Sequence, residues 1–136
     1  MSYTGVILVG GRGTRLKNLT DKIAKPLIFI QKKPFLDYLL YYLCKFKFDK
    51  IYLICSYRSS QFFKRYHKKY ILGVEIICIK ENRPQGTAGS LLSVKNKIKK
   101  NFFLINGDSF FPINLDDFDN FSNKTKKIIS IACSKN

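Results

Sequence analysis

The chain has 136 residues, 46% of them hydrophobic, enough for one domain with its own core. No apolar run approaches the length of a membrane span, and no basic segment leads into a long apolar stretch at the N-terminus. A cytoplasmic protein without membrane partners is therefore expected. The 25 Lys and Arg against 9 Asp and Glu leave a net charge of +16, which raises the question of nucleic acid. The lysines are scattered in pairs such as Lys32-Lys33, Lys68-Lys69 and Lys126-Lys127, and no nucleic-acid-binding motif accompanies them. No nucleic-acid partner is expected; such a surface favours a small polyanion such as a nucleoside triphosphate.

In chain order, Tyr3 to Val9 reads as a short buried strand ended by glycine. Pro34 to Phe48 reads as an amphipathic helix, with Leu36, Leu39, Leu40 and Leu43 at helical spacing. Lys50 to Cys55 is a second strand. Ser59 is a candidate N-cap for a basic, aromatic helix reaching about Tyr70, which Gly73 stops. Val74 to Ile79 is a third strand, residues 80 to 86 a polar loop, Thr87 to Lys100 a third helix and Phe102 to Ile105 a fourth strand. Ile128 to Cys133 reads as one more strand, close to the last residue. Alternating strands and helices predict an α/β fold: a mostly parallel, Rossmann-like sheet with helices on both faces. Cys44, Cys55, Cys78 and Cys133 show no C-x-x-C spacing and read as buried free thiols; His67 reads as a surface residue.

Ligands of such sheets bind at the carboxyl ends of the strands. Three polar segments are predicted there. The first is GGRGTRLKNLTDKIAKP, residues 10 to 26. Gly10, Gly11 and Gly13 let the backbone approach an anion closely, and successive N–H groups form a nest. It is neither a Walker A loop, since no G-K-[ST] follows, nor the dinucleotide fingerprint, since Leu16 replaces the third glycine. Arg15 offers a forked cation for phosphate and Lys25 a point charge. The alternative is a glycine-rich connection with two solvated cations. The second segment is NGD, residues 106 to 108, where Asp108 follows an apolar strand. It suits magnesium, which takes one or two carboxylates with phosphate oxygens and water; alternatively it caps turn N–H groups. The third is ENRPQGTAGSLL from Glu81, where Gly86 and Gly89 leave room for a flat ring and Thr87 is a candidate helix cap.

G-G-x-G-T-R-L, K-P-L, K-P-F-L, P-Q-G-T-A-G and N-G-D in this order resemble the sugar-1-phosphate nucleotidylyltransferases, over about Tyr3 to Leu115. KPFLDYLLYYL and NGDSFF are most similar to the D-glycero-D-manno-heptose 1-phosphate guanylyltransferases, and G-T-A-G also resembles mannose-1-phosphate guanylyltransferases. The resemblance implies attack of a sugar-phosphate oxygen on the α-phosphorus of a nucleoside triphosphate, releasing pyrophosphate. It implies that Arg15 holds the triphosphate, Lys25 neutralises phosphate charge and Asp108 binds Mg2+. It also implies that Leu8, Gly10, Gly11, Gly13, Thr14, Gln85, Gly86 and Thr87 frame base and phosphates, with Glu81 at the base-contacting position. A carboxylate accepts two hydrogen bonds from guanine N1–H and N2–H₂, so GTP is favoured; alternatively Glu81 is a solvated loop residue.

Two departures matter. Ala24 replaces the proline usual before Lys-Pro, which is expected to loosen the presentation of Lys25. Residues 1–136 are expected to be a single nucleotidyltransferase domain lacking the C-terminal sugar-binding half of the family, with its second lysine and second metal-binding aspartate. A partner-dependent or non-catalytic nucleotide-binding fragment is the alternative, and an incomplete sheet edge would invite homo-oligomer pairing.

Overall fold

A computed structural model describes residues 2–83 and 85–135. In it the first apolar run forms β1 (Tyr3–Leu8), followed by a short hairpin of β2 (Phe29–Ile30) and β3 (Lys33–Pro34). Helix α1 (Phe35–Leu43) leads to β4 (Phe48–Cys55), and α2 (Ser59–Tyr66) to β5 (Lys69–Ile71) and β6 (Val74–Lys80). Then come α3 (Gly86–Leu91), β7 (Phe103–Asn106) and α4 (Leu115–Thr125). The main sheet has the order β5-β6-β4-β1-β7. All its pairings are parallel except β5 with β6. The predicted α/β architecture is therefore present.

Strand periodicity distributes the core. Ile7, Ile51, Leu53 and Cys55 bury on the face covered by α1, α2 and Leu115 of α4. Val6, Tyr52 and Ile54 bury on the other face, against Leu91 of α3 and Val94. Helix α1 inserts Leu36, Leu39, Leu40 and Leu43, and each such burial is worth roughly 1.5–3 kcal/mol relative to exposure. Among the described residues no helix is long and apolar enough to cross a membrane.

Several predicted boundaries move. The first helix ends at Leu43, not Phe48, because Phe48 is buried in β4, which therefore begins before Lys50. The second helix ends at Tyr66, not Tyr70. His67 turns extended and its Nδ1 accepts the Cys78 N–H at 3.1 Å, so this histidine is a half-buried structural acceptor and not a free surface group. The chain then enters β5, and the Leu72-Gly73 pair, at φ 48° and 83°, closes a two-residue hairpin onto β6. Gly73 thus turns a hairpin instead of stopping a helix. The third helix gives way after Leu91 to a 3₁₀ turn, Leu92–Val94, well short of Lys100. Its N-cap position is Gln85, without a side-chain cap, so Thr87 does not cap it.

The predicted strand Ile128 to Cys133 is absent. Ile128, Ile129 and Ile131 are 102%, 75% and 76% exposed, and no described strand pairs with them. Strand-like composition makes no strand without a ladder partner. Cys44, Cys55 and Cys78 are buried free thiols as expected, but Cys133 is exposed. Helix α4, not foreseen, is capped by Asn114, whose Oδ1 accepts the Asp116 and Asp117 N–H groups.

Tyr3 ties β1 to α4 by donating its hydroxyl to Asp116 Oδ1 at 2.7 Å. That hydrogen bond, with partial burial and the Asp116 charge, pushes the phenol up from 10.0 to about 12. A raised folded-state value means the contribution is complete below the unfolded value near 10 and is lost as pH rises through about 12. Between pH 10 and 12, urea midpoints of the wild type should therefore fall further than those of Tyr3→Phe; parallel curves would remove Tyr3 from the alkaline transition.

Candidate functional site

The carboxyl ends of β1, β4, β6 and β7 open into one cleft of about 340 Å³. Its floor is Leu8 and Val9 from β1, Ile54 from β4 and Asn106 from β7. The loop after β1 lines it with Gly10, Gly11, Gly13, Lys25 and Pro26, and the segment after β6 lines it with Glu81, Gln85, Gly86, Thr87 and Ser90. Asp108 completes it. Ten of the twelve residues singled out from sequence are brought together here. Thr14 and Arg15 are not: they sit exposed on a 3₁₀ turn, Thr14–Leu19, outside the cleft lining.

Local sterics dictate the glycine loop. A Cβ at Gly10 would collide with Ser56 Oγ, which itself donates to the Gly10 carbonyl at 2.6 Å. Gly13 adopts φ 63°, and its carbonyl accepts from Leu16 N at 3.0 Å and from Thr20 Oγ1 at 3.1 Å. That conformation is costly for a residue with a side chain, so the turn demands glycine. A Cβ at Gly11 would meet nothing within 4 Å, which makes this stretch of backbone open to a ligand.

Lys25 and Asp108, 83 positions apart in sequence, meet across the cleft with Nζ 2.8 Å from Oδ2. The side chains are 37% and 44% exposed. The lysine's hydrogen bond holds the Asp108 carboxyl below its ordinary value against partial burial, and Ser109 Oγ donates to Oδ1 at 3.3 Å in the same sense. Glu81 is not solvated: it is 9% exposed, its N–H donates to the Cys55 carbonyl at 2.8 Å, and its Oε1 lies 2.7 Å from the Ser90 hydroxyl. That hydroxyl also lies 2.9 Å from the Gly86 carbonyl, so Ser90 links Glu81 to the start of α3. With Oε1 engaged by Ser90, Oε2 of Glu81 is the carboxylate atom to offer a ligand donor.

The loop from Thr20 to Ala24 is fastened by residues just after β4. Tyr57 donates its hydroxyl to the Thr20 carbonyl at 2.8 Å, Arg58 donates to the Asp21 carbonyl, and Gln61 Nε2 donates to the Lys22 carbonyl at 2.7 Å. The expected loosening at Ala24 does not occur. Ala24 is fully buried and its N–H, which proline would lack, donates to Gln61 Oε1 at 3.0 Å. Ser56 and Gln61 were not foreseen as parts of the site, and Ser90 and Asn106 were included only as members of the ENRPQGTAGSLL and NGD segments, without roles of their own.

Among the described residues no cluster of three His, Cys, Asp or Glu side chains stands ready for a metal ion. The donor set in the cleft, one carboxylate facing open space beside a lysine, fits a hard cation that draws its other ligands from phosphate and water.

A family model described as nucleotidyl transferase matches residues 4–135. A D-glycero-alpha-D-manno-heptose 1-phosphate guanylyltransferase of Campylobacter jejuni is 38% identical over 110 residues, covering 81% of this chain and 49% of the relative. The mannose-1-phosphate guanyltransferase of Saccharomyces cerevisiae is 37% identical over 110 residues, covering 76% of this chain and 30% of the relative. The crystal structure of HddC from Yersinia pseudotuberculosis complexed with GMP-PN superposes with a TM-score of 0.78 at 35% identity, covering 88% of this chain and 54% of that one. A UTP-bound UGPase from Acinetobacter baumannii, at 16% identity and a TM-score of 0.77 over 93% of this chain and 54% of that one, shares the fold. The chain thus spans about half the length of the heptose-phosphate relative. Since the match takes in the sheet together with every loop that lines the cleft, the chain belongs to the nucleotidyl transferase family.

Proposed function

We propose that the cleft binds a nucleoside triphosphate, GTP, with Mg2+, and is the nucleotide side of a sugar-1-phosphate guanylyltransferase acting in the cytoplasm. The observation that carries this is the convergence of open glycine backbone, the Lys25–Asp108 pair and Glu81 in one cleft. The reaction is in-line attack of a sugar-phosphate oxygen on the α-phosphorus, with the bond to pyrophosphate breaking. Such transfers depend mainly on positioning and charge neutralisation. In this reading the N–H groups around Gly10 and Gly11 cradle phosphate, Lys25 neutralises charge building on it, and Arg15 from its exposed turn holds the departing pyrophosphate. Asp108 would hold Mg2+, which supplies further neutralisation of phosphate charge. Glu81, steadied by Ser90 through Oε1, accepts from the donor edge of guanine. Gln85, Gly86 and Thr87 border the base, and Thr14 belongs to the phosphate turn.

The sugar is of the heptose or mannose type, by similarity to the relatives named above, and its product feeds polysaccharide synthesis. Its subsite would come from beyond residues 1–136 or from a partner chain, because the described cleft offers one lysine and one exposed carboxylate. That same observation favours, as a second reading, a nucleotide-binding module that turns over only with a partner.

The test is thermal unfolding with GTP, CTP, UTP, dTTP and ATP in turn, each with magnesium. A ligand at a hundred times its Kd adds about 2.7 kcal/mol, a shift of several degrees. GTP should give the largest shift, and Glu81→Gln should erase its lead over dTTP. No shift with any nucleotide sinks the proposal; an unchanged lead in Glu81→Gln removes Glu81 from base selection.

A further inference from the structure

The segment ahead of Lys25 is held unusually completely. Residues 57, 58 and 61 bond the carbonyls of Thr20, Asp21 and Lys22 and the N–H of Ala24. Gln61 alone among these reaches both sides of Ile23, with Oε1 on the Ala24 N–H and Nε2 on the Lys22 carbonyl. On its other side the Ala24 carbonyl accepts the Leu27 N–H at 2.8 Å, in the 3₁₀ turn Lys25–Leu27. The peptide bonds flanking Ala24 are therefore gripped from both ends, and Lys25 leaves the turn toward Asp108. Ala24 has φ −62° and ψ 139°, the conformation proline prefers. Gln61 is itself anchored in the first turn of α2, where its N–H donates to the Arg58 carbonyl at 3.0 Å.

We propose that Gln61 is a positioning residue for Lys25: its carboxamide, clamped on Ala24 N–H and Lys22 C=O, fixes a backbone that a proline ring would otherwise stiffen. Resting on the nucleotide reading above, this makes Gln61 act on the phosphates of the ligand and not on its base. The two ways of stiffening the loop exclude each other. A proline at 24 removes the N–H and sets its Cδ against Gln61 Oε1, which lies only 3.0 Å from the Ala24 nitrogen. Removing the Gln61 side chain clears that space.

The experiment measures Kd for magnesium-GTP and for guanosine, by calorimetry, on the wild type, Q61A, A24P and Q61A/A24P, each first shown to unfold cooperatively. Q61A should weaken GTP roughly three- to tenfold, as expected for a lost hydrogen bond, and leave guanosine unchanged. A24P should also weaken GTP, while the double variant should bind better than either single one, a reversal that additive damage cannot give. Equal losses for GTP and guanosine, or a double variant no better than the worse single one, overturns the proposal. If A24P does not fold, Q61M, isosteric but without either hydrogen bond, must reproduce Q61A or the proposal fails. A wild type that binds neither ligand defeats the nucleotide reading alone. The rate of reductive methylation of Lys25 relative to the exposed Lys97, read by mass spectrometry, then decides: it should rise in Q61A and return in the double variant, and no change overturns the clamp.

Discussion

Replacing Asp108 by Asn is expected to abolish the magnesium-dependent part of GTP affinity and to tighten metal-free binding. In the folded protein Lys25 is paired with Asp108 at 2.8 Å. A triphosphate arriving without metal meets a lysine already engaged and a carboxylate that repels it. Asparagine keeps the shape, removes the negative charge and frees the ammonium. Two unit charges 4 Å apart interact by about 1 kcal/mol in water and about 4 kcal/mol at an effective dielectric constant of 20. With both side chains more than a third exposed, the pair lies toward the weaker limit, and a gain of about tenfold in metal-free affinity is reasonable. With magnesium the loss should be at least tenfold, since a lost ligand costs no less than a lost outer partner. The fold should hardly respond, because an exposed ion pair contributes about 0.2–1 kcal/mol. Calorimetry with magnesium and with EDTA separates the outcomes. If the affinity of the D108N variant still rises with magnesium, the cation sits elsewhere.

The largest loss of stability should follow Phe62→Ala. Helix α2 is short and fully buries Phe62 and Tyr66, one turn apart, with Phe63 partly buried beside them. Phe62 is fully buried in the cluster that also holds Ile76 and Cys78 of β6. Truncating a buried Phe removes its burial and leaves a cavity the surrounding strands close only in part, at about 3–5 kcal/mol. For a domain of this size that lowers Tm by roughly 10 °C or more. Because Gln61 and Tyr57 hold the Lys25 loop from this same region, GTP affinity should fall along with stability. Urea denaturation should show a lower midpoint with an unchanged slope. A loss under about 1 kcal/mol would mean that α2 is not fastened to the sheet through Phe62.

The parts of the protein that depend on neighbours in sequence were legible in it. Short β-branched runs give four parallel strands within two residues of their predicted bounds, since period-two burial is a local property. Gly10 and Gly13 mark the turn at the cleft because only glycine tolerates the contact at the first and the φ of the second, while Gly11 between them is sterically unconstrained. Lys25, Glu81 and Asp108 were legible as residue types at the ends of strands, although nothing local sets Lys25 against Asp108 or Glu81 against Ser90. The hairpin of β5 was hidden because its basic, aromatic segment continues the composition of α2, and pairing with β6 decided between helix and strand. The apolar tail misled for the converse reason: Ile128, Ile129 and Ile131 have strand propensity but no described ladder to join. Ala24 read as a weakness in the chain, and it is one only until Gln61, 37 positions away, takes its N–H. Sequence alone therefore determined the sheet, the glycine turn and the charged residues at its edge, because steric and periodic constraints act between neighbours. Tertiary structure decided which of those groups meet and how firmly they are held, because the parallel crossovers bring together atoms that no local propensity relates.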